Sequence, residues 1–326
     1  MNRAITFFIA TSACTIILKT SPTARSLLGL SPILETSSNL AKWKGKWDVS
    51  QTRWQRAKIH HTLLKYYDSI LKGRGTIMVP LCGKTKDLHY LTSMGHDVIG
   101  VEGIHKAVAE YADENKAAVV LDAQKDTGKF KPYFETYKGV DNKRGTSLQF
   151  LRGDFFLLGA AAKGVFGGVW DRASLVAIEV RANEDCRDET KAGAKRQILL
   201  SLMSLLFASL ATSLLVASLL APLPQPSMRD TYAKNMGEAM AAGGIMLLST
   251  FWREKGDAAA LKAGPPYSVS EKDVRDIYEG LDWVKSVELV ETIDYVRDER
   301  FKQEVKRWLD AGMTEFKELV FVIKKK

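Results

Sequence analysis

Short apolar runs alternate with amphipathic stretches along most of this chain. "TIMVP", residues 76 to 80, is the length of a buried strand. "TKDLHYLTSMG" follows, with Leu88, Leu91 and Met94 on one side at helical spacing and Gly95 as the stop. "HDVIGVE" predicts a second strand, and "IHKAVAEYADEN" a helix with Ile104, Val108 and Tyr111 on one face. A polar, lysine-rich stretch leads to "SLQFLRGDFF", a third strand ending at Gly153 and Asp154. "GGVWDRASLVAI" is a fourth, stopping at Asp171. "MRDTYAKNMGEAMAAGGIMLLSTFW" reads as a helix, a Gly-Gly break and a buried fifth strand, while "VKSVELVETIDYV" and "KELVFVIKKK" supply two more. This alternation predicts an α/β fold: one Rossmann-like sheet of seven strands, mostly parallel with an antiparallel last strand, and helices on both faces.

The turn after the first strand, "PLCGKT", has Gly83, Lys84 and Thr85 in the order of a phosphate-binding loop. Such a loop needs a glycine five positions earlier, and Met78 stands there. The turn still lies at the carboxyl end of a strand, where open α/β sheets bind ligands. Glu102 ends the second strand, nineteen residues after Gly83. An acid there can accept hydrogen bonds from both hydroxyls of a ribose. The single glycine of "PLCGKT" does not suit a pyrophosphate, so a ribose without one, as in S-adenosyl-L-methionine, fits better.

Two stretches break the pattern. Residues 1–38 carry Arg3, then the uncharged "AITFFIATSACTIIL", then a Ser/Thr/Pro-rich stretch, with no acid before Glu35. That is the layout of a signal or organellar presequence, or of an N-terminal anchor, and predicts a cytoplasmic or organellar enzyme after its removal. The second stretch lies within 183–228, where no charge occurs between Arg196 and Arg229. Its segment 198–224 is long and apolar enough to span a bilayer. It falls between two strands of one sheet, which a crossing would place on opposite sides of a membrane. It is expected instead to pack on the domain, to touch a membrane surface, or to be absent from the mature protein. The α/β domain then occupies 39–326, interrupted at about 183–228.

Read together, "VPLCGKTKDLHYLTSMGHDVIGVE", "GDFF", "VWDRASLVAI", "GPPYSVS" and the upstream "WKGKWDVSQTRW" resemble the thiopurine S-methyltransferase family, over about residues 40–182 and 229–326. The resemblance implies a class I fold that uses S-adenosyl-L-methionine. It implies that Leu81 contacts the cofactor through its backbone, that Glu102 holds the ribose, and that Asp154 and Phe155 flank the adenine. Trp43 and Trp47 would belong to a segment closing over the cofactor, Trp54 would face the substrate, and Arg172 would stand near the methionine end and the acceptor. Trp54 and Arg172 are thus the catalytic candidates. Gln55 stands where relatives often have histidine, and Leu157 where an acid commonly follows "GDFF".

Methyl transfer from a sulfonium needs positioning and exclusion of water more than acid-base chemistry. Aromatic thiols ionise near neutral pH, so the sequence predicts no nucleophile-base pair. The expected reaction is methylation of an aromatic or heterocyclic thiol. The alternatives are methylation of halide, thiocyanate or bisulfide, and a non-catalytic cofactor-binding or membrane-associated protein. The tryptophans have a structural alternative as core, Arg172 as an ion pair with Asp171 or another acid, and Glu102 as a solvated strand end. The formal charge of +9 is scattered among acids without an aromatic-interleaved basic stripe, which argues against nucleic acid. Cys14, Cys82 and Cys186 have no metal-ligand spacing. His60, His61, His89, His96 and His105 read as surface or helix residues rather than ligands, and no metal is expected. The family resemblance implies a monomer.

Overall fold

A computed structural model describes residues 38–124, 130, 133–178, 227–253, 267–310 and 312–326. Nearly all of the predicted presequence, and all of the apolar segment 198–224, lie outside the described residues. Among the described residues no helix is long and apolar enough to cross a membrane.

The chain opens with α1 (Ser38–Asp48) and α2 (His61–Tyr66), the latter running on through a π-helical turn to Leu71. Then come β1 (Ile77–Pro80), α3 (Asp87–Ser93), β2 (Val98–Glu102), α4 (His105–Asn115), β3 (Asp122–Gln124), β4 (Glu135–Val140) and β5 (Ser147–Arg152). A 3₁₀ turn (Phe155–Leu157) and α5 (Leu158–Ala161) lead to β6 (Phe166–Arg172). The remainder is α6 (Met228–Ala239), β7 (Met240–Arg253), α7 (Glu271–Tyr278), β8 (Val284–Asp294), α8 (Lys302–Leu309) and β9 (Phe316–Lys325). One sheet runs β3-β4-β5-β2-β1-β6-β7-β9-β8. Strands β5, β2, β1, β6 and β7 are parallel, and β9 is inserted antiparallel between β7 and β8.

The seven predicted strands are therefore all present, and the sheet has nine. The two extra strands come from the lysine-rich stretch read as a connection. β3 and β4 pair antiparallel and extend the sheet beyond β5. Their half-solvated positions, as at Lys138 and Val140, leave no apolar run to announce a strand. The expected Gly-Gly break is a second difference: β7 runs through it, with Gly243 at φ +67° and a register shift opposite β6. Met94, placed on the buried side of α3, is its exposed C-cap.

Burial on both faces explains the apolar strand runs. Ile77, Val79, Val98, Trp170, Leu247 and Val320 face α2, α3 and α4 through Leu63, Leu88, Leu91, Val108 and Tyr111. Met78, Val101, Val169, Met246, Leu248 and Phe321 face α6 and α7 through Tyr232, Met236, Val274 and Tyr278. After β5 the chain returns to place β6 beside β1. That reversal opens a crevice at the carboxyl ends of β1 and β6, where ligands of such sheets bind.

Candidate active site

The turn out of β1 is bent sharply, with Leu81 at φ +43° and Gly83 at φ +55°. A leucine in the left-handed region is strained, a feature that clusters at ligand sites. The bend directs the Gly83 amide onto Glu102 Oε2 at 2.7 Å, and the Ile104 amide donates to Oε1, also at 2.7 Å. Glu102 is 7% exposed. Burial lifts its pKa to about 6 against the opposing pull of these amides. The Gly103 amide acts on the same carboxylate, which with about four acceptor positions still has room for a ribose hydroxyl. Lys84 turns away from the bend, its ammonium on Glu110 (2.7 Å) and Glu114 (2.6 Å) of α4. The apparent nucleotide loop thus lacks its cation as well as its glycine. Cys82 is buried beside it, and burial pushes its thiol well above the usual range.

At the end of β5, Asp154 caps the 3₁₀ turn, its Oδ1 accepting from the Phe156 amide at 3.0 Å. Phe155 borders the same cleft, but its ring is only 2% exposed and stacks on Tyr232 at 4.5 Å and 26°. Phe156 stands edge-on to Phe155 and also lines the cleft. The structure therefore brings Leu81, Glu102, Asp154 and Phe155 to one rim, as the resemblance implies, and Phe156 joins them.

Trp43, Trp47 and Trp54 form one edge-to-face cluster, with Trp54 at 5.0 Å from Trp43 and 6.1 Å from Trp47. Trp47 is buried against Ile104 and Ala107, at the start of α4 next to Glu102. The lid and core readings of these tryptophans therefore coexist: the cluster is a small core that holds α1 over the rim. Lys46 lies 5.0 Å from the Trp43 ring centre and 5.9 Å from that of Trp54. Arg172 ties this lid down, donating to the Trp54 carbonyl and, at 3.3 Å, to the Thr85 hydroxyl. The alternative pairing with Asp171 does not form. Asp171 faces the other way, accepting from the Ser174 amide (3.0 Å) and the Tyr232 hydroxyl (2.7 Å), and burial raises its pKa to about 6. Gln55 accepts from the Lys84 amide at 3.2 Å, so this departure from the family pattern touches the cofactor turn itself.

Beyond Arg172 the cleft, about 1410 Å³ in volume, continues between α2, β7 and α8. His61, Phe251, Tyr295, Phe301 and Trp308 wall it. Phe301 lies 4.7 Å from His61 and stacks on Tyr295 at 4.2 Å and 10°. Arg56 closes the mouth with an ion pair to Glu304 of α8.

Behind that wall Glu318 is completely buried. It accepts from the hydroxyls of Thr62 (2.6 Å), Ser249 (2.7 Å) and Tyr295 (2.6 Å), and His61 Nε2 lies obliquely 3.0 Å away. Burial alone would raise this carboxyl. The contact with His61, the nearby His60 ring and the Thr62 hydroxyl outweigh that and hold it well below the usual range. His60 is buried too, and of the expected surface or helix positions it takes the second, at the start of α2. Its Nδ1 caps α2 by accepting from the Thr62 amide, and burial keeps its ring well below the usual histidine range. His96 is likewise buried, contacting Tyr67 and the Gly75 carbonyl.

His60, His61 and Glu318 bring potential metal-ligand atoms within 4.8 Å of one another. The two rings stack at 4.5 Å and 26°, so their lone pairs run nearly parallel instead of converging on one ion. Three hydroxyls already occupy the carboxylate, and the cluster is built as a hydrogen-bond network. Sequence reasoning did not find this half of the cleft. Its visible signals were adjacent histidines opening a helix and a lone acid inside the apolar "KELVFVI".

The profile of the thiopurine S-methyltransferase family matches residues 38–208, more than half of the chain. A probable thiopurine S-methyltransferase of Danio rerio is 25% identical over 279 residues, covering 85% of this chain and 92% of that one. The thiopurine S-methyltransferase of Azotobacter vinelandii is 24% identical, covering 87% and 98%. Among solved structures, phosphoethanolamine N-methyltransferase 2 of Haemonchus contortus in complex with S-adenosyl-L-methionine superposes with a TM-score of 0.48 at 9% identity, covering 88% of this chain and 57% of that one. The chain is therefore an S-adenosyl-L-methionine-dependent methyltransferase and belongs to the thiopurine S-methyltransferase family.

Proposed function

We infer that the acceptor is an aromatic or heterocyclic thiol, as the names of the relatives suggest for those proteins. The observation that carries this reading is the aromatic wall beyond Arg172. Phe301, Tyr295 and His61 offer ring faces and edges to a flat acceptor, where a monatomic ion needs no such surface. S-adenosyl-L-methionine supplies a methyl group already activated by a sulfonium charge. In this reading Glu102 fixes the ribose, and Asp154, Phe155 and Phe156 hold the adenine. The backbone at Leu81 positions the methionine end, and the tryptophan cluster excludes water. Arg172 and Trp54 set the acceptor against that end.

One observation favours a small anion as a second reading. The hydrogen-bond acceptors of Arg172 are a carbonyl and a hydroxyl, both neutral, so its charge can serve bisulfide, thiocyanate or a halide. The two are separated by measuring kcat/KM of the full chain for substituted thiophenols and a mercaptopurine against bisulfide, thiocyanate and iodide. The thiol reading expects the aromatic thiols to lead by at least about tenfold, the scale of one well-made set of ring contacts. Preference for the ions would replace it with the second reading.

A further inference from the structure

The far half of the cleft holds an ionised carboxylate that cofactor binding does not explain. Glu318, completely buried in the middle of β9, gathers donors from α2, β7 and the end of β8. A buried anion of this kind stabilises a positive charge formed next to it. Of the groups around it, His61 and Tyr295 also line the cleft. Tyr295 donates its hydroxyl proton to Glu318, and burial with that neighbouring charge raises its pKa far beyond the usual range, so it keeps its proton. His61 differs. Its Nε2 lies 3.0 Å from Glu318 but obliquely to it, and a small turn of the neutral ring would let an Nε2–H donate to the carboxylate and leave the lone pair on Nδ1. This is the arrangement of a base oriented by a carboxylate. Arg172 lines the same cleft as His61 and Tyr295 and lies within electrostatic reach of Glu318.

We propose that His61, oriented by Glu318, accepts the proton of an acceptor thiol that reaches the cleft un-ionised. The proposal rests on the thiol reading above. The acceptor sulfur forms its new bond to the methyl carbon, and the electron pair of the broken carbon–sulfur bond stays with the former sulfonium. The thiol proton passes to His61 Nδ1. One positive charge is lost from the sulfonium and one appears on the imidazolium, against the fixed negative charge of Glu318. The proton then leaves to solvent through the cleft mouth. Around His61 are Glu318 from β9, Tyr295 after β8 and the stacked His60 ring, with Asp298 within electrostatic reach. Glu318 is the group in contact with the ring nitrogen.

The sequence-level expectation that no base is needed holds for thiols ionised at the working pH. The pair extends the reaction to thiols that are not. His61→Gln is the discriminating variant, because its amide N–H can replace the contact to Glu318 while it offers no basic nitrogen. Turnover is measured across thiophenols graded by ring substituent, from ionised to un-ionised at the assay pH, alongside binding of S-adenosylhomocysteine and thermal midpoint. The expected loss is about 10²-fold or more on the un-ionised thiols, in the range for general base catalysis. On ionised thiols it is expected to be only a few fold, and the gap should close as pH rises past each thiol's own pKa. An independent readout is the ¹⁵N NMR tautomer of His61, expected to be Nε2–H. An equal loss on every thiol at every pH, or an Nδ1–H tautomer, would overturn the proposal. If the unaltered protein binds S-adenosylhomocysteine but methylates ions and no thiol, the thiol reading fails first, and this inference falls with it.

Discussion

At the scale of single residues the proposed cofactor rim turns on Glu102. Burial raises its pKa from 4.5 to about 6, so the fold prefers the protonated form more than the unfolded chain does. Its stabilising contribution is complete below about 4.5 and is lost as pH rises through about 6, amounting to on the order of 2 kcal/mol. Ribose hydroxyls donate hydrogen bonds, so binding favours the opposite, ionised form. Affinity for S-adenosylhomocysteine is therefore expected to weaken as pH falls below about 6, with one proton taken up per complex lost. Titration calorimetry in buffers of different ionisation enthalpy reads this directly. Glu102→Ala should weaken binding at least about tenfold at neutral pH and remove the slope, because buried hydroxyls lose their acceptors. Lys84→Ala gives the contrasting result. Its ammonium is engaged by Glu110 and Glu114, so binding should stay within about twofold, the scale of a surface ion pair. A large loss would restore Lys84 to the site. Glu102 could be found from sequence because strand-end position and chain spacing are local properties. His61 could not, since its role depends on a carboxylate far along the chain in another strand.

Element by element, most of the sheet could be read from the sequence because its central strands are buried on both faces and apolar throughout. The strands β3 and β4 could not, since an edge hairpin with charged outer positions has the composition of a loop. β9 shows both sides of this limit. "KELVFVI" announces a strand, but only the registers of Glu318 opposite Phe251 in β7 and Ile293 in β8 show that its acid is enclosed. That acid joins three elements to β9. Glu318→Leu would leave the hydroxyls of Thr62, Ser249 and Tyr295 buried without their acceptor. At about 1–3 kcal/mol for each stranded group, the expected loss is several kcal/mol. Denaturant unfolding would register it as a lower midpoint with little change in slope. The pH sign is opposite to that of Glu102. The Glu318 carboxyl is depressed on folding, so its stabilisation is present above about 4.5 and is lost as pH falls through its folded value. An unchanged midpoint in the leucine variant would mean that the network contributes orientation and not stability.

Across the whole molecule, α1 and the segment that follows it hold the two halves of the cleft together. Trp43, Trp47 and Trp54 anchor this segment at the cofactor rim, Arg172 hydrogen-bonds it over the sheet, and Arg56 bridges it to Glu304 at the far mouth. The tryptophan anchor is apolar and largely indifferent to salt. The Arg56–Glu304 bridge is partly solvated, which limits its strength to about 1 kcal/mol and makes it sensitive to ionic strength. Opening is therefore expected to begin at the bridge, with the tryptophans as the hinge side. Arg56→Ala should raise the dissociation rate of S-adenosylhomocysteine up to about fivefold, the rate equivalent of 1 kcal/mol, with little change in the association rate. High salt should accelerate release from the unaltered protein towards the same limit and leave the variant nearly unaffected, as stopped-flow tryptophan fluorescence can follow. A variant that retains the full salt dependence would show that the bridge is not the latch. Release would then be governed by the tryptophan cluster, and Trp47→Ala rather than Arg56→Ala would set the rate.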